Sequence, residues 1–227
     1  MSENLRTKNR SYETRVYAQQ VRYVFDSFNT ALFGTFLGAL LLLIMQWPYV
    51  DQEVLLSWFA VFAIINLLRA ALVIRFQKRK PSDTECQRWG NYFTIGSISA
   101  GAIWAVGTYL AFPQDNLPYQ LTVAIIIIGL CAGAVSTISI LLVSFLLFSL
   151  PMLSVLVLLF IIEAQYFIAL VVFFMTLYVV RGARKIYETN AQNVRLRLEA
   201  DEREADLVAA RVEAESANKA KSEFLAN

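Results

Sequence analysis

The feature that most constrains this chain is a series of apolar stretches, each long enough to cross a bilayer, separated by short polar segments. A helix needs about 20 apolar residues to span the hydrocarbon core, and the first stretch, Thr30 to Trp47, is of that kind. It closes on Trp47-Pro48-Tyr49, aromatic residues suited to the interface flanking a helix breaker. Five more stretches come after it: Val54 to Ile74, Tyr92 to Phe112, Tyr119 to about Thr137, Ile140 to Ile162, and Gln165 to Val180. Only 17% of the 227 residues are charged and 57% are hydrophobic, whereas a soluble domain carries about a quarter charged residues. A soluble core helix also shows a polar face every turn, and these stretches do not. The expected fold class is an all-α integral membrane protein with about six transmembrane helices. One boundary is open: Leu121 to Ile162 is too long for one helix. A tight turn near Ser136–Ser139 makes it two spans; a re-entrant segment is the competing arrangement, tolerated only where protein buries it.

Charge placement sets the expected orientation. Arg6, Lys8, Arg10, Arg15 and Arg22 precede the first span, Arg75, Lys78, Arg79, Lys80 and Arg88 lie between the second and third, and Arg181, Arg184 and Lys185 come after the sixth. The three intervening loops hold only the acids Asp51, Glu53, Asp115 and Glu163. The positive-inside rule therefore places both termini in the cytoplasm, which requires an even number of spans. No cleavable signal peptide is visible. The loops on the far side are too short for an external sensor domain.

Outside the spans two helical segments are expected. In residues 1–28, Val16, Tyr17, Val21, Val24 and Phe25 fall near helical spacing among Arg15 and Arg22. This reads as an amphipathic helix lying on the inner membrane surface, or as a plain polar lead-in. Residues 29–180 form the membrane domain. From residue 181 to 227 helix formers dominate, without proline. Tyr187, Ala191, Val194, Leu198, Ala205, Val208 and Val212 recur in alternating steps of four and three, with Asp201 at the missing position. That is a heptad seam, expected to form a coiled coil and so a homodimer; a solitary solvated helix is the alternative. Phe224 and Leu225 have nothing to pack on within the tail, so it is expected to lead into a further domain.

The final run, Ala214-Glu-Ser-Ala-Asn-Lys-Ala-Lys-Ser-Glu-Phe-Leu-Ala-Asn227, resembles the segment just before the phosphoacceptor box of bacterial sensor histidine kinases, hybrid kinases in particular. The match covers about 14 residues. The membrane part is similar, more loosely, to multi-span input regions of such kinases and of some diguanylate cyclases, in Gly101-Ala-Ile-Trp104 and Gly129-Leu-Cys-Ala-Gly133 followed by Pro151. The resemblance implies the sensing input region of a two-component kinase in the bacterial inner membrane. It implies ATP and Mg for a kinase domain beyond the tail, and no cofactor in this chain. The implied partners are membrane lipid, a second copy, a response regulator or receiver domain and, in some relatives, a small hydrophobic signal molecule, but no nucleic acid. The chain has no histidine, so no catalytic residue carries over.

No motif for chemistry appears: there is no Walker loop, dinucleotide fingerprint or zinc-protease pair. Cys86 and Cys131 lie far apart and read as free thiols, so no metal is expected. Gly34-xxx-Gly38 and Gly129-xxx-Gly133 fit the small-xxx-small pattern and read as close helix packing within the chain, with a dimer seam as the alternative. In span two, Arg69 lies less than two turns from Arg75 and is expected to snorkel to the headgroups. Asn66 is deeper and free to bond another span. Trp104 and Tyr109, amid Gly96, Gly101 and Gly107, read as aromatic packing or as a pocket open to lipid. Asn66, Trp104 and Tyr109 are the candidate ligand-binding residues. The competing functions are the input of a cyclase and a small transporter, the latter disfavoured because no span carries an acid near its middle.

Overall fold

The computed structural model describes residues 2–226, with side chains described from 12 to 212 and from 214 to 216. The described chain is six helices: α1 (Ser2–Gln46), α2 (Gln52–Arg79), α3 (Asp83–Leu110), α4 (Leu117–Ile138), α5 (Leu142–Ile162) and α6 (Tyr166–Ala226). All six are long and apolar enough to cross a membrane, and the protein is an all-α, multi-span membrane protein. The run from Leu121 to Ile162 resolves into α4 and α5, joined by Ser139-Ile140-Leu141. At 1.5 Å per residue each of these two helices is about 30 Å long, the thickness of the hydrocarbon core. Pro151 lies inside α5.

The ends of the helices are set by local chemistry. Asp51 caps α2 by accepting from the backbone N–H of Glu53 at 2.8 Å and of Val54 at 3.2 Å. Lys80 closes α2 in the left-handed region, φ 45°, with its N–H bonded to Phe76 O, and Pro81 forbids continuation. Ser82 and Glu85 then form a capping box for α3. The hydrogen bonds from the Ser82 backbone and hydroxyl hold the Glu85 carboxyl below its ordinary range. Pro118 occupies the first turn of α4, where its missing N–H costs nothing.

Two ends of the bundle are distinct. The acidic end holds the α1–α2, α3–α4 and α5–α6 turns. Glu163 Oε2 there accepts from Gln120 Nε2 at 3.2 Å and from the Asp115 N–H at 3.3 Å. Gln46 Nε2 donates to Tyr119 O at 3.2 Å. The basic end holds the α2–α3 and α4–α5 turns and the long extensions of α1 and α6. At about 67 Å and 90 Å these two helices are at least twice as long as the bilayer core is thick.

The extension of α1 is not a separate helix lying on a membrane surface. It runs without a break into the first span, and its apolar side packs on protein. Val21, Phe25 and Phe28 are buried; the Phe25 ring stacks on Phe76 of α2 at 3.9 Å and meets Trp89 and Phe93 of α3. The physical reason is that no Gly or Pro occurs between Ser2 and Phe33 to break the helix. The apolar stripe that suggests a membrane surface instead reaches the projecting ends of α2 and α3. Arg22 fastens the contact, bonding Asp83 at 2.6 Å and Pro81 O at 3.2 Å.

Farther along, the α1 extension meets α6, which runs antiparallel to it. Arg15 pairs with Glu202 at 3.0 Å, Arg195 with Glu13 at 3.0 Å, and the Tyr12 hydroxyl donates to Arg195 O. Leu198 is buried between these contacts. The early heptad positions Tyr187, Ala191 and Val194 are partly covered, whereas Asp201, Ala205, Val208 and Val212 are exposed. The side chains of 217–227, including Phe224 and Leu225, lie outside the described residues.

Both cysteines are free thiols and buried. Burial pushes the Cys86 thiol up, so it stays protonated and a poor nucleophile at neutral pH. A water-soluble maleimide at neutral pH is expected to label neither cysteine within minutes in the folded protein and both after denaturation in SDS. Fast labelling of folded protein would contradict this packing.

Candidate functional site

The site grows from the middle of α2. Asn66 and Arg69, three residues apart, share one face and point into the bundle; both are buried, Asn66 at 1% exposure and Arg69 at 7%. Asn66 Nδ2 donates to the Phe62 carbonyl at 2.9 Å, and its Oδ1 accepts from Arg69 Nη1 at 3.2 Å. Arg69 does not snorkel to the surface. Its stem passes Gly96 of α3, where an added Cβ would lie 3.2 Å from Arg69 Cγ. Its guanidinium carbon sits 5.0 Å from the centre of the Phe28 ring of α1, a cation–π distance. The gap left by Gly96 lets the side chain turn inward. Arg69 Nη2 is buried and has no hydrogen-bond partner, and no carboxylate among the described residues pairs with this side chain.

Trp104 of α3 is fully buried one layer away. Its Nε1–H donates to Thr35 Oγ1 of α1 at 3.0 Å, and its ring meets Trp58 and Phe62 edge-on, each at 5.6 Å. Trp58 in turn donates to Ile103 O at 2.7 Å. Tyr109 is not part of this group: it is 64% exposed on the outside of the bundle.

Between α1 and α4 lies a cavity of about 560 Å³. Thr30, Gly34, Thr35 and Gly38 form one wall and Ile126, Gly129, Gly133 and Ser136 the other, with Arg69 and Phe148 also lining it. Its two ends differ. Thr30, Ser136 and Thr137 lie toward the basic end, and Phe28, whose ring lies under the Arg69 guanidinium, is half a turn from Thr30. Leu37, Leu41 and Ile125 line the other end. Phe33 and Ile125, at 72% and 71% exposure, mark where the cavity opens sideways between the helices.

Both small-xxx-small motifs face this space, and the expectation of close packing fails for most of it. A Cβ added at Gly34, Gly129 or Gly133 would meet nothing within 4 Å; only Gly38 has a close neighbour, the Trp104 ring at 3.5 Å. Gly34, Gly129 and Gly133 are exposed, so their missing side chains leave a groove open to the outside rather than a buried helix contact. Of the two readings of the α3 glycines, packing is the one observed, and no pocket opens at Gly101 or Gly107. Gly101 receives the backbone of α5, with an added Cβ 2.6 Å from Phe148 O, and Gly107 receives the Trp58 ring.

No protein-family model, curated protein or solved structure matches the chain. The site must therefore be read from its own chemistry. Its lining offers one guanidinium, a few hydroxyls and apolar surface. These groups bind and orient; they include no nucleophile with an adjacent base, the minimum for covalent catalysis. Of the residues singled out in the sequence, Asn66 and Trp104 do not line the cavity but stand behind its wall, against Arg69 and Gly38, and Tyr109 lies outside. The residues that sequence reasoning missed are Thr35 and Phe28, and the signal that could have found the cavity is the pairing of two glycine motifs on different spans.

Proposed function

We propose that this chain is the signal-sensing input region of a bacterial two-component histidine kinase, held in the inner membrane with both termini cytoplasmic. The observation that carries this reading is α6, one unbroken helix from Tyr166 in the membrane domain to Ala226 in the polar tail. A rigid element of this kind transmits a shift, tilt or rotation of its span to a domain attached at its far end. The Ala214–Asn227 resemblance supports a kinase as that domain. On this reading ATP, Mg and the response regulator belong to the domains beyond residue 227.

The geometry supplies a route for the signal. One wall of the cavity is α1, and the same helix reaches the tail through Tyr12, Glu13 and Arg15. A change in the spacing of α1 and α4 therefore acts on α6 at Arg195–Glu202. The ion pairs there are exposed and worth about 1 kcal/mol or less each, a coupling weak enough to be reversed by ligand binding. The exposed Ala205, Val208 and Val212 are the positions at which a second copy would pair, making two signalling helices move against each other. Asp201 at the head of that segment sets its register.

The test uses the protein of the full reading frame in nanodiscs with labelled ATP. Acid-labile, base-stable phosphate on the protein is the expected result. Formation of a cyclic dinucleotide from GTP without such phosphate would replace the kinase by a cyclase on the same input region. Charge reversal at Glu13 to Arg is expected to change the level of labelling while costing no more than about 1 kcal/mol of stability. Labelling identical to the wild type would remove the α1–α6 contact from the route.

A further inference from the structure

We propose that the cavity between α1 and α4 binds a single-chain amphiphile with an anionic carboxylate head, taken from the surrounding lipid phase, with Arg69 as its counter-ion. The inference rests on the sensor reading only in naming the class of signal, and its test does not depend on any kinase output.

Arg69 specifies the head. Its guanidinium stays charged in proteins, and a buried charge without a partner is costly. Here Asn66 satisfies one nitrogen, Phe28 covers one face, and Nη2 is left buried and unpaired. Guanidinium groups take carboxylates by paired, charge-assisted hydrogen bonds. The chain cannot supply that carboxylate itself. From Asp26 to Glu163 its acids are Asp26, exposed beside Arg22 and Lys80 and not lining the cavity, and Asp51, Glu53, Asp83, Glu85, Asp115 and Glu163, all in the turns or the first turn of a helix. A second copy packed side by side would be equally without an acid at the depth of Arg69.

The cavity specifies the tail. Its volume of about 560 Å³ falls within the range of small-molecule sites, roughly 300–1,000 Å³. That volume is enough for a single alkyl chain. Polar groups gather at the end near Arg69 and aliphatic ones at the other, so the ligand lies along the helices with its head toward the basic end. The sideways opening at Phe33 and Ile125 gives entry from lipid without passage through water. Gly34, Gly129 and Gly133 keep the space open.

The experiment measures binding of radiolabelled dodecanoate to this chain in nanodiscs of neutral lipid, with methyl dodecanoate and phosphatidylglycerol as competitors. Dodecanoate is expected to bind at one site per chain, with the methyl ester at least tenfold weaker and phosphatidylglycerol a poor competitor. Gly129→Leu and Gly133→Leu put side chains into empty space, so they fold and are expected to abolish binding. Arg69→Gln removes the charge, keeps a donor for Asn66, and is expected to weaken binding at least tenfold while thermal unfolding shows the fold intact. Dodecanoate should raise the unfolding temperature of the wild type and leave that of Arg69→Gln unchanged. Equal binding of acid and ester, full competition by phosphatidylglycerol, or unchanged binding in the folded glycine variants would overturn the proposal. Binding without any histidine phosphorylation in the full-length protein would leave it standing and remove the kinase reading instead.

Discussion

Gly101→Val is expected to lose about 3 kcal/mol of stability, the upper end of the cost of overpacking a core. The cause is specific. An added Cβ at Gly101 would lie 2.6 Å from the Phe148 carbonyl oxygen and 2.7 Å from that of Leu147. Both obstacles are backbone of α5, so no side chain can swing aside. The helices must separate, and the buried Trp104 and Phe148 would lose their packing together. The same substitution at Gly129, where nothing lies within 4 Å, is expected to stay within about 0.5 kcal/mol, as a change that displaces no neighbour does. Unfolding by SDS in mixed micelles measures both. Similar losses at the two glycines would mean that α3 and α5 do not approach as closely as described.

The second large effect is at Trp104. Trp104→Ala is expected to cost about 3 kcal/mol, the low end of the range for emptying an aromatic site in a soluble core. The low end applies because part of that range is expulsion of apolar surface from water, and lipid supplies no such term. The substitution loses contact with Trp58, Phe62 and Gly38 and leaves the space of an indole. Trp104→Phe separates packing from polarity. It keeps a six-membered ring, removes the bond to Thr35 and leaves a small space, so about 1–2 kcal/mol is expected, a membrane hydrogen bond plus a minor packing loss. The Thr35 hydroxyl can turn to a backbone carbonyl of its own helix when left alone. Equal losses for the two variants would place the energy in the hydrogen bond.

These two sites also show which features of the fold are legible in the sequence and which are not. The spans are legible because each crossing needs a long apolar run: Val54–Ile74 lies within α2 and Tyr119–Thr137 within α4, with only caps and turns added. The division of Leu121–Ile162 is legible from its length and the small polar residues at its middle. Which face of each span turns inward is not. In water an apolar residue points to the core; in lipid both core and surroundings are apolar. Trp104 and Tyr109 therefore look alike in sequence, yet one is fully buried and the other faces outward. The distance from Arg69 to Arg75 suits a side chain that reaches the headgroups. Its inward turn depends on Gly96, a residue on another helix. Gly34, Gly101 and Gly129 look identical in the chain, while one meets a backbone and the others meet nothing. The α1 extension misleads for a similar reason, since a stripe of Val and Phe beside arginines fits a membrane surface and a protein surface equally well.

If α6 carries the state of the membrane domain onward as one rigid helix, the output must depend on helical phase. Inserting one to seven alanines after Val212 in the full-length protein, and measuring acid-labile phosphate from labelled ATP in nanodiscs, reads that dependence. Each inserted residue turns the downstream domain by about 100°. Two insertions therefore put that domain on nearly the opposite face, and seven restore two full turns to within about 20°. A rigid helix predicts labelling that is altered strongly at two insertions and returns at seven. Labelling that ignores the insertions altogether, or falls steadily with their number, would show that the tail is a tether and that no rotation or tilt of α6 passes along it.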